Sequence, residues 1–335
     1  MTIRVGVIGT GNIGTSHARD LATRVSGSTV TVLYDFDQAR AAALADELGA
    51  TAVSSFVDVI ESDDVDAVLI ASPDDFHAEQ ALAALAAGRQ MLCEKPLAPV
   101  EADALRVIEA EVALGQRHIM MGFMRRFDPG YAELKAQFTD EGIGEPLIVH
   151  HLHTNQSAPY GLASARTMTN MVIHEFDITR WLLDDDYASV QVIAGRPGPQ
   201  TPEGELDPLL VVMRMQSGAL VEVEAFVNSQ YGYEVSCRVT GSRGGAQMGE
   251  GSFITRSVAG LRGQDVPELW LSRFAGAYHR QLQAWIDALR SGGPLPGASA
   301  WDGYVATITA NCAVAALDSG APVDVVLPPR PTLYD

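Results

Sequence analysis

The chain is short of lysine. It has two, Lys95 and Lys135, so 21 of its 23 basic residues are arginine. Arginine meets most surface needs, but it keeps its proton in a protein and binds as a wide planar fork. Lysine is a compact, tunable donor of the kind a crowded reaction centre uses. Cysteine is also scarce. Cys93, Cys237 and Cys312 lie far apart without metal-ligand spacing, which excludes a disulfide framework and fits a reducing cytoplasm. Basic charge of any kind is outweighed, 23 residues against 42 acidic ones, for a formal charge of -19. Such a surface repels phosphate backbones and acidic membrane faces, so nucleic acid and membrane are both excluded as partners. No apolar run approaches the roughly 20 residues needed to span a bilayer. The chain opens on a strand running into a glycine loop, not on a charged and then greasy leader, so export is not expected. What remains is 335 residues, 47% hydrophobic and 19% charged, the composition of a soluble globular protein with core enough for two domains.

The first half alternates strand and helix. Residues 3–9 read as a buried parallel strand, followed at once by Gly9-Thr10-Gly11-Asn12-Ile13-Gly14 and a helix with apolar residues at Ile13, Ala18, Leu21 and Ala22. In that context the glycines have distinct work. Gly9 permits a tight turn, Gly11 lets backbone approach a pyrophosphate, and Gly14 allows close helix–strand contact. The helix start, with Asn12 and Ile13, offers N–H groups to the anion. The next strand ends in Asp35, 21 residues beyond Gly14, where a carboxylate would accept from an adenosine ribose or else cap the following helix. No arginine adjoins it in sequence to take a 2′-phosphate, so NAD is expected rather than NADP. A fourth strand reaches Ser72-Pro73, and His77 opens an alanine-rich helix, where it either touches the cofactor or serves as a first-turn polar residue. The fifth strand delivers Glu94-Lys95-Pro96, and 118–122 forms the sixth. The pattern predicts a doubly wound parallel sheet over residues 1–123, with ligands beyond the carboxyl ends of its strands, where Gly9, Asp35, Ser72 and Lys95 all fall.

Residues 124–335 change character. Residues 146–153 read as a long strand, and strands at 189–193, 209–215, 219–227 and 234–239 suit an antiparallel sheet, with loops at 155–166 and 196–208 and two late helices. At the centre of this half, Asn170, His174, Asp177 and Trp181 are spaced four, three and four apart, one face of a helix. They form either a satisfied buried network or a general base with an amide and a carboxylate beside it. Arg125-Arg126 and the strand pair His151 and His153, with Asn155, precede it. Without an acid or cysteine nearby in sequence, the two histidines are not read as a metal site.

These residues together resemble the glucose-fructose oxidoreductase / inositol dehydrogenase / rhizopine-catabolism family, in particular its bacterial inositol dehydrogenase branch. The resemblance runs end to end. It is carried by Gly9 to Gly14, Glu94-Lys95-Pro96 and His174, and more narrowly by 122–131, 144–147, 174–177, Tyr231-Gly-Tyr233 and 300–304. It implies an α/β Rossmann doubly wound parallel sheet plus a C-terminal α/β domain with an open, mostly antiparallel sheet, and a homo-oligomer, tetramer or dimer. It implies a nicotinamide cofactor, here NAD, and a small polyol as substrate. Lys95 would hydrogen-bond the reacting polyol and His174 would exchange its hydroxyl proton. Arg125, His153, Asn155, Asp177 and Tyr233 match the polyol pocket, and Glu94 and Pro73 join the cofactor set. The chain departs from the family where an aspartate normally stands four residues before the histidine; here it is Asn170. Asparagine can accept from the imidazole but cannot stabilise imidazolium with a full charge. The alternatives are a sugar or aminocyclitol dehydrogenase, the reverse ketone reduction, or an NAD-binding sensor with little turnover.

Overall fold

The computed structural model describes residues 1–158, 164–248 and 255–335; residues 159–163 of the expected 155–166 loop lie outside this set. The chain forms two units, one of Met1–Phe127, Ala277–Thr307 and Pro328–Asp335, the other of Asp128–Gly276 and Ile308–Leu327.

In the first unit, strands β1 (Ile3–Ile8), β2 (Ser28–Tyr34), β3 (Thr51–Ala52), β4 (Ala67–Ile70), β5 (Gln90–Cys93) and β6 (Ile119–Met121) form a parallel sheet in the order β3-β2-β1-β4-β5-β6. Helices α1 (Asn12–Thr23), α2 (Gln38–Leu48), α3 (Phe56–Glu61), α4 (His77–Ala86) and α5 (Glu101–Leu114) alternate with them. Apolar runs such as Ala67–Ile70 and Met91–Cys93 are fully buried, as strands covered on both faces must be. The core joins Val5, Leu21, Leu33 and Leu92 to Leu282, Trp285 and Ile286 of a later segment.

A buried carboxylate closes the far end of this unit. Glu111 of α5 is inaccessible, and its Oε1 accepts the backbone N–H groups of His118 (2.6 Å) and Ile119 (2.7 Å), fixing the entry to β6. Its Oε2 accepts the Tyr334 hydroxyl at 2.6 Å, while the Tyr334 ring stacks on Trp301. Burial, with the Glu111 charge beside it, pushes the Tyr334 phenol well above its ordinary range, so it stays a donor. Tyr334→Phe keeps the stack and leaves Glu111 without that donor. A lost buried bond to a charged group predicts a stability loss of about 1–3 kcal/mol, measured as a lowered urea midpoint. An unchanged midpoint would show that the C-terminal tyrosine does not stabilise the unit.

The second unit holds α6 (Pro129–Lys135), then β7 (Pro146–Thr154), a single turn α7 (Ser164–Arg166), a π-helical stretch at Thr167–Met171, and α8 (Ile173–Leu183). Strands β8 (Tyr187–Ala194), β9 (Leu209–Met215), β10 (Leu220–Phe226), β11 (Glu234–Gly241) and β12 (Gly245–Gln247) follow. A separate hairpin of β13 (Arg256–Val258) and β14 (Leu261–Gly263) and the last strand β15 (Val323–Asp324) complete the strands. Helices α9 (Trp270–Ser291) and α10 (Ala300–Ser319) lie between β14 and β15 in sequence. The main sheet runs β12-β11-β7-β10-β9-β8-β15, antiparallel throughout except for the parallel pair β7–β10. Along these strands buried residues (Val149, His151, His153; Val221, Val223, Ala225) alternate with more exposed ones (Ile148, His150; Leu220, Glu224), so one face is core and the other open. Lys135, the second lysine, holds the end of α8. Its ammonium donates to the Trp181 carbonyl and to Asp184 (2.9 Å) and lies over the Trp181 ring.

Candidate active site

The glycine loop links β1 to α1 under tight steric rules. Gly9 has φ +94°, and a Cβ there would lie 2.5 Å from the backbone of Ala71 and Ser72. At Gly14 a Cβ would lie 2.0 Å from the Gly9 carbonyl oxygen. Gly11 is different: a Cβ there meets nothing within 4 Å. Gly9 and Gly14 are thus required by the fold, whereas Gly11 keeps open space above the start of α1, beside Asn12 and Ile13. Open backbone at the N-terminus of a 12-residue helix fits a dinucleotide pyrophosphate.

Asp35 lies at the end of β2, nearly buried. Burial alone would raise its carboxyl, but hydrogen bonds from Arg40, Thr10 and Asp37 outweigh that and hold it below the usual carboxylate range. It is therefore a charged acceptor at the carboxyl end of β2, the position at which the sequence leads one to expect a ribose contact. Arg40, five residues downstream in the first turn of α2, is not legible as its neighbour in the sequence.

The Glu94-Lys95-Pro96 turn follows β5 and is braced from both sides by buried histidines. His17 of α1 bonds Glu94 Oε1 at 2.7 Å, with its ring against the edge of Tyr278. Its Nδ1 has no hydrogen-bond partner among the described residues, so the ring hydrogen belongs on Nε2, donating to the carboxylate. Glu94 Oε2 faces the Lys95 backbone N–H at 3.4 Å. Gly122 leaves room for this carboxylate, since a Cβ there would lie 2.7 Å from it. On the other side, His77 sets one ring nitrogen 2.7 Å from the Pro96 carbonyl oxygen and the other 2.8 Å from that of Ser72. His77 thus ties the end of β4 to the Lys95 turn. Ser72 itself donates from its hydroxyl to Gln80 at 2.6 Å, with Pro73 next in chain. The role of His17 was missed in the sequence. Its signal is a polar side chain within the buried stripe Gly14, His17, Ala18, Leu21 of α1. Arg125, in a short 3-10 turn after β6, is almost wholly buried.

In the second unit α8 lies over the buried face of β7. His153 Nδ1 is 3.0 Å from Glu175 Oε2, and His151 Nε2 is 2.9 Å from the Thr179 hydroxyl. The His153 ring also meets Tyr233 edge-on at 5.5 Å. Glu175 is inaccessible to solvent, so the carboxylate that the sequence around these histidines lacks comes from 22 residues away. No group of three His, Cys, Asp or Glu side chains that could hold a metal occurs among the described residues. Asn155 sits at the end of β7, its buried Oδ1 without a hydrogen-bond partner among those residues, an acceptor available to a ligand hydroxyl. His174 and Asp177 are both buried on α8. The stretch from Asn170 to Trp181, expected as one helix, is not a single α-helix. Asn170 belongs to the π-helical stretch, whose wider turn is marked by the bond from Val172 N–H to the Thr167 carbonyl, while His174, Asp177 and Trp181 lie on α8.

Comparison with known proteins agrees with this geometry. Residues 3–123 match the oxidoreductase family with an NAD-binding Rossmann fold, and 135–325 match the C-terminal alpha/beta domain of the same family. The chain belongs to the Gfo/Idh/MocA oxidoreductase family. It is 44% identical over 334 residues to inositol 2-dehydrogenase 3 of Saccharopolyspora erythraea, covering 100% of this chain and 98% of that one. It is 40% identical to the inositol 2-dehydrogenase/D-chiro-inositol 3-dehydrogenase of Shouchella clausii, covering 100% and 97%. Its fold matches the crystal structure of myo-inositol dehydrogenase from Lactobacillus casei in complex with NAD(H) and myo-inositol, with TM-score 0.95, 34% identity and full coverage of both chains. As a Gfo/Idh/MocA member the chain is an oxidoreductase that takes NAD and acts on a CH–OH group. Among the described residues no helix is long and apolar enough to cross a membrane.

Proposed function

We propose that this enzyme oxidises a ring hydroxyl of inositol, myo-inositol to its 2-keto product in the first instance, with NAD as acceptor. The observation that carries the reading is the end-to-end likeness, in sequence and fold, to inositol dehydrogenases. Bound NAD supplies hydride acceptance at the nicotinamide ring. Lys95 hydrogen-bonds the oxygen of the reacting hydroxyl and steadies the negative charge that grows on it. His174 takes the hydroxyl proton as general base, and Asn170 orients its ring. Arg125, His153, Asn155, Asp177 and Tyr233 hold the remaining hydroxyls. The Glu175–His153 bond and the open Asn155 acceptor support that assignment. Incubation with NAD and a panel of inositols, sugars and aminocyclitols, followed by NADH absorbance, tests it. Turnover only on non-inositol substrates would move the activity elsewhere in the family, and NAD binding without turnover would make the chain a sensor. We also place the enzyme in the cytoplasm as a homotetramer or dimer. The open face of the second sheet supports oligomers, since Ile148 pairs with Leu220 and Ile193 with Leu210 across it.

Asn170 is the one feature favouring weak turnover, and it yields a signed prediction. His174 must begin neutral and finish protonated, so a carboxylate at position 170 would favour imidazolium and strengthen the base, as a nearby opposite charge does. A base works above its own pKa. Asn170→Asp should therefore move the acidic limb of the kcat–pH profile to higher pH and raise kcat above that limb. If the substitution reorders the polyol panel and leaves the limb in place, Asn170 selects substrate and does not tune His174.

A further inference from the structure

NADP differs from NAD by one phosphate on the ribose 2′ oxygen, so discrimination is decided around Asp35. Its carboxylate receives four donors. On Oδ2 are the Thr10 N–H (2.6 Å) and hydroxyl (3.0 Å); on Oδ1 are the Asp37 N–H (2.8 Å) and the Arg40 guanidinium (2.7 Å). The first three are carried by the glycine loop and by the β2–α2 turn. The fourth sits on a long side chain whose accessibility is 50%, against 7% for Asp35. The turn is also tied down without the guanidinium. Asp37 caps α2 by accepting the Arg40 backbone N–H at 3.1 Å, and Gln38 donates to the Asp35 carbonyl at 2.7 Å. Release of the Arg40 side chain therefore leaves the local backbone in place. Asp35, Asp37 and Arg40 are the charges that interact here, and a guanidinium is the side chain best matched to a phosphate.

We propose that Arg40 is a latent 2′-phosphate receptor, and that Asp35 excludes NADP both by its own charge and by keeping this arginine occupied. The inference rests on NAD being the cofactor and adds the residue that sets the choice between the two dinucleotides.

Calorimetric titration with NAD, NADP and 2′,5′-ADP tests it on the parent, Asp35→Asn, Arg40→Ala and the double variant. In Asp35→Asn the new side chain can still offer its oxygen to Thr10 while turning an NH2 group on Arg40 and on the Asp37 N–H, which expels the guanidinium. Asp35→Ser provides the same release should the asparagine variant fail to fold, and a melting curve reports folding for each. The parent should prefer NAD by at least about tenfold. Asp35→Asn should gain at least about tenfold in affinity for NADP and 2′,5′-ADP, and adding Arg40→Ala should abolish that gain. Arg40→Ala alone should not improve NADP binding. The same gain with and without Arg40 would assign discrimination to the Asp35 charge alone and overturn the proposal. So would Asp35 variants that bind NAD but gain nothing for NADP. A parent that binds neither dinucleotide would instead remove the cofactor assignment, and the proposal with it.

Discussion

Lys95→Ala and His174→Ala are each expected to lower turnover by about a hundredfold or more, the usual loss when a positioned acid/base or its partner is removed. NAD affinity and thermal stability should stay near the parent's. The second expectation follows from how each residue is held. The Lys95 turn is fixed by bonds that do not use the lysine side chain: His17 to Glu94, and His77 to the Pro96 and Ser72 carbonyls. Truncation at Cβ leaves all of them. His174 lies on α8, which is anchored to β7 through Glu175–His153 and Thr179–His151. Alanine is the best helix former, so the helix tolerates the change. Steady-state kinetics, NAD titration and a melting curve on each variant provide the check. A variant that stays folded and turns over normally removes that residue from the mechanism.

Gly14→Ala and Gly11→Ala should fail in opposite ways. At position 14 the new methyl would lie 2.0 Å from the Gly9 carbonyl oxygen and 2.9 Å from its carbon. Both are backbone atoms, so α1 must lift away from the β1 turn. Overpacking against rigid backbone predicts a stability loss of about 3 kcal/mol or more, with NAD binding lost alongside. At position 11 the backbone has φ -66°, and the methyl enters open space. Stability should therefore change by no more than about 0.5 kcal/mol. The methyl does occupy the approach of the pyrophosphate, so NAD affinity should fall by about tenfold or more. Urea unfolding and NAD titration separate the two effects. A Gly11→Ala protein that binds NAD as the parent does would place the pyrophosphate elsewhere.

Much of this molecule was legible because it depends on short-range pattern. The parallel sheet follows from apolar runs that can only be buried on both faces. Gly9 and Gly14 follow from the steric demands of a strand–turn–helix, and Asp35, Ser72 and Lys95 from the ends of strands counted along the chain. The five longer strands of the second unit, β7 to β11, were visible in their alternation, whereas the two- and three-residue strands β12 to β15 are too short to show one. What escaped depends on partners distant in sequence or on a break in helical period. Glu175 is 22 residues from His153, and Glu94 is 77 from His17. Tyr334 is 223 from Glu111, and no local spacing relates such pairs. Arg40 was near Asp35 in sequence but not adjacent, and only the turn of α2 brings its side chain back. The π-helical stretch at Thr167–Met171 interrupts the uniform 3.6-residue period that the spacing of Asn170, His174, Asp177 and Trp181 suggests.

The sequence by itself determined the strand–helix order and the glycine loop, since each is set by sterics or hydrophobic pattern within a few residues. Only the tertiary structure decided which buried polar groups support them. A carboxylate or imidazole removed from water must find its partner wherever the fold puts one, and that position is a property of the packed chain.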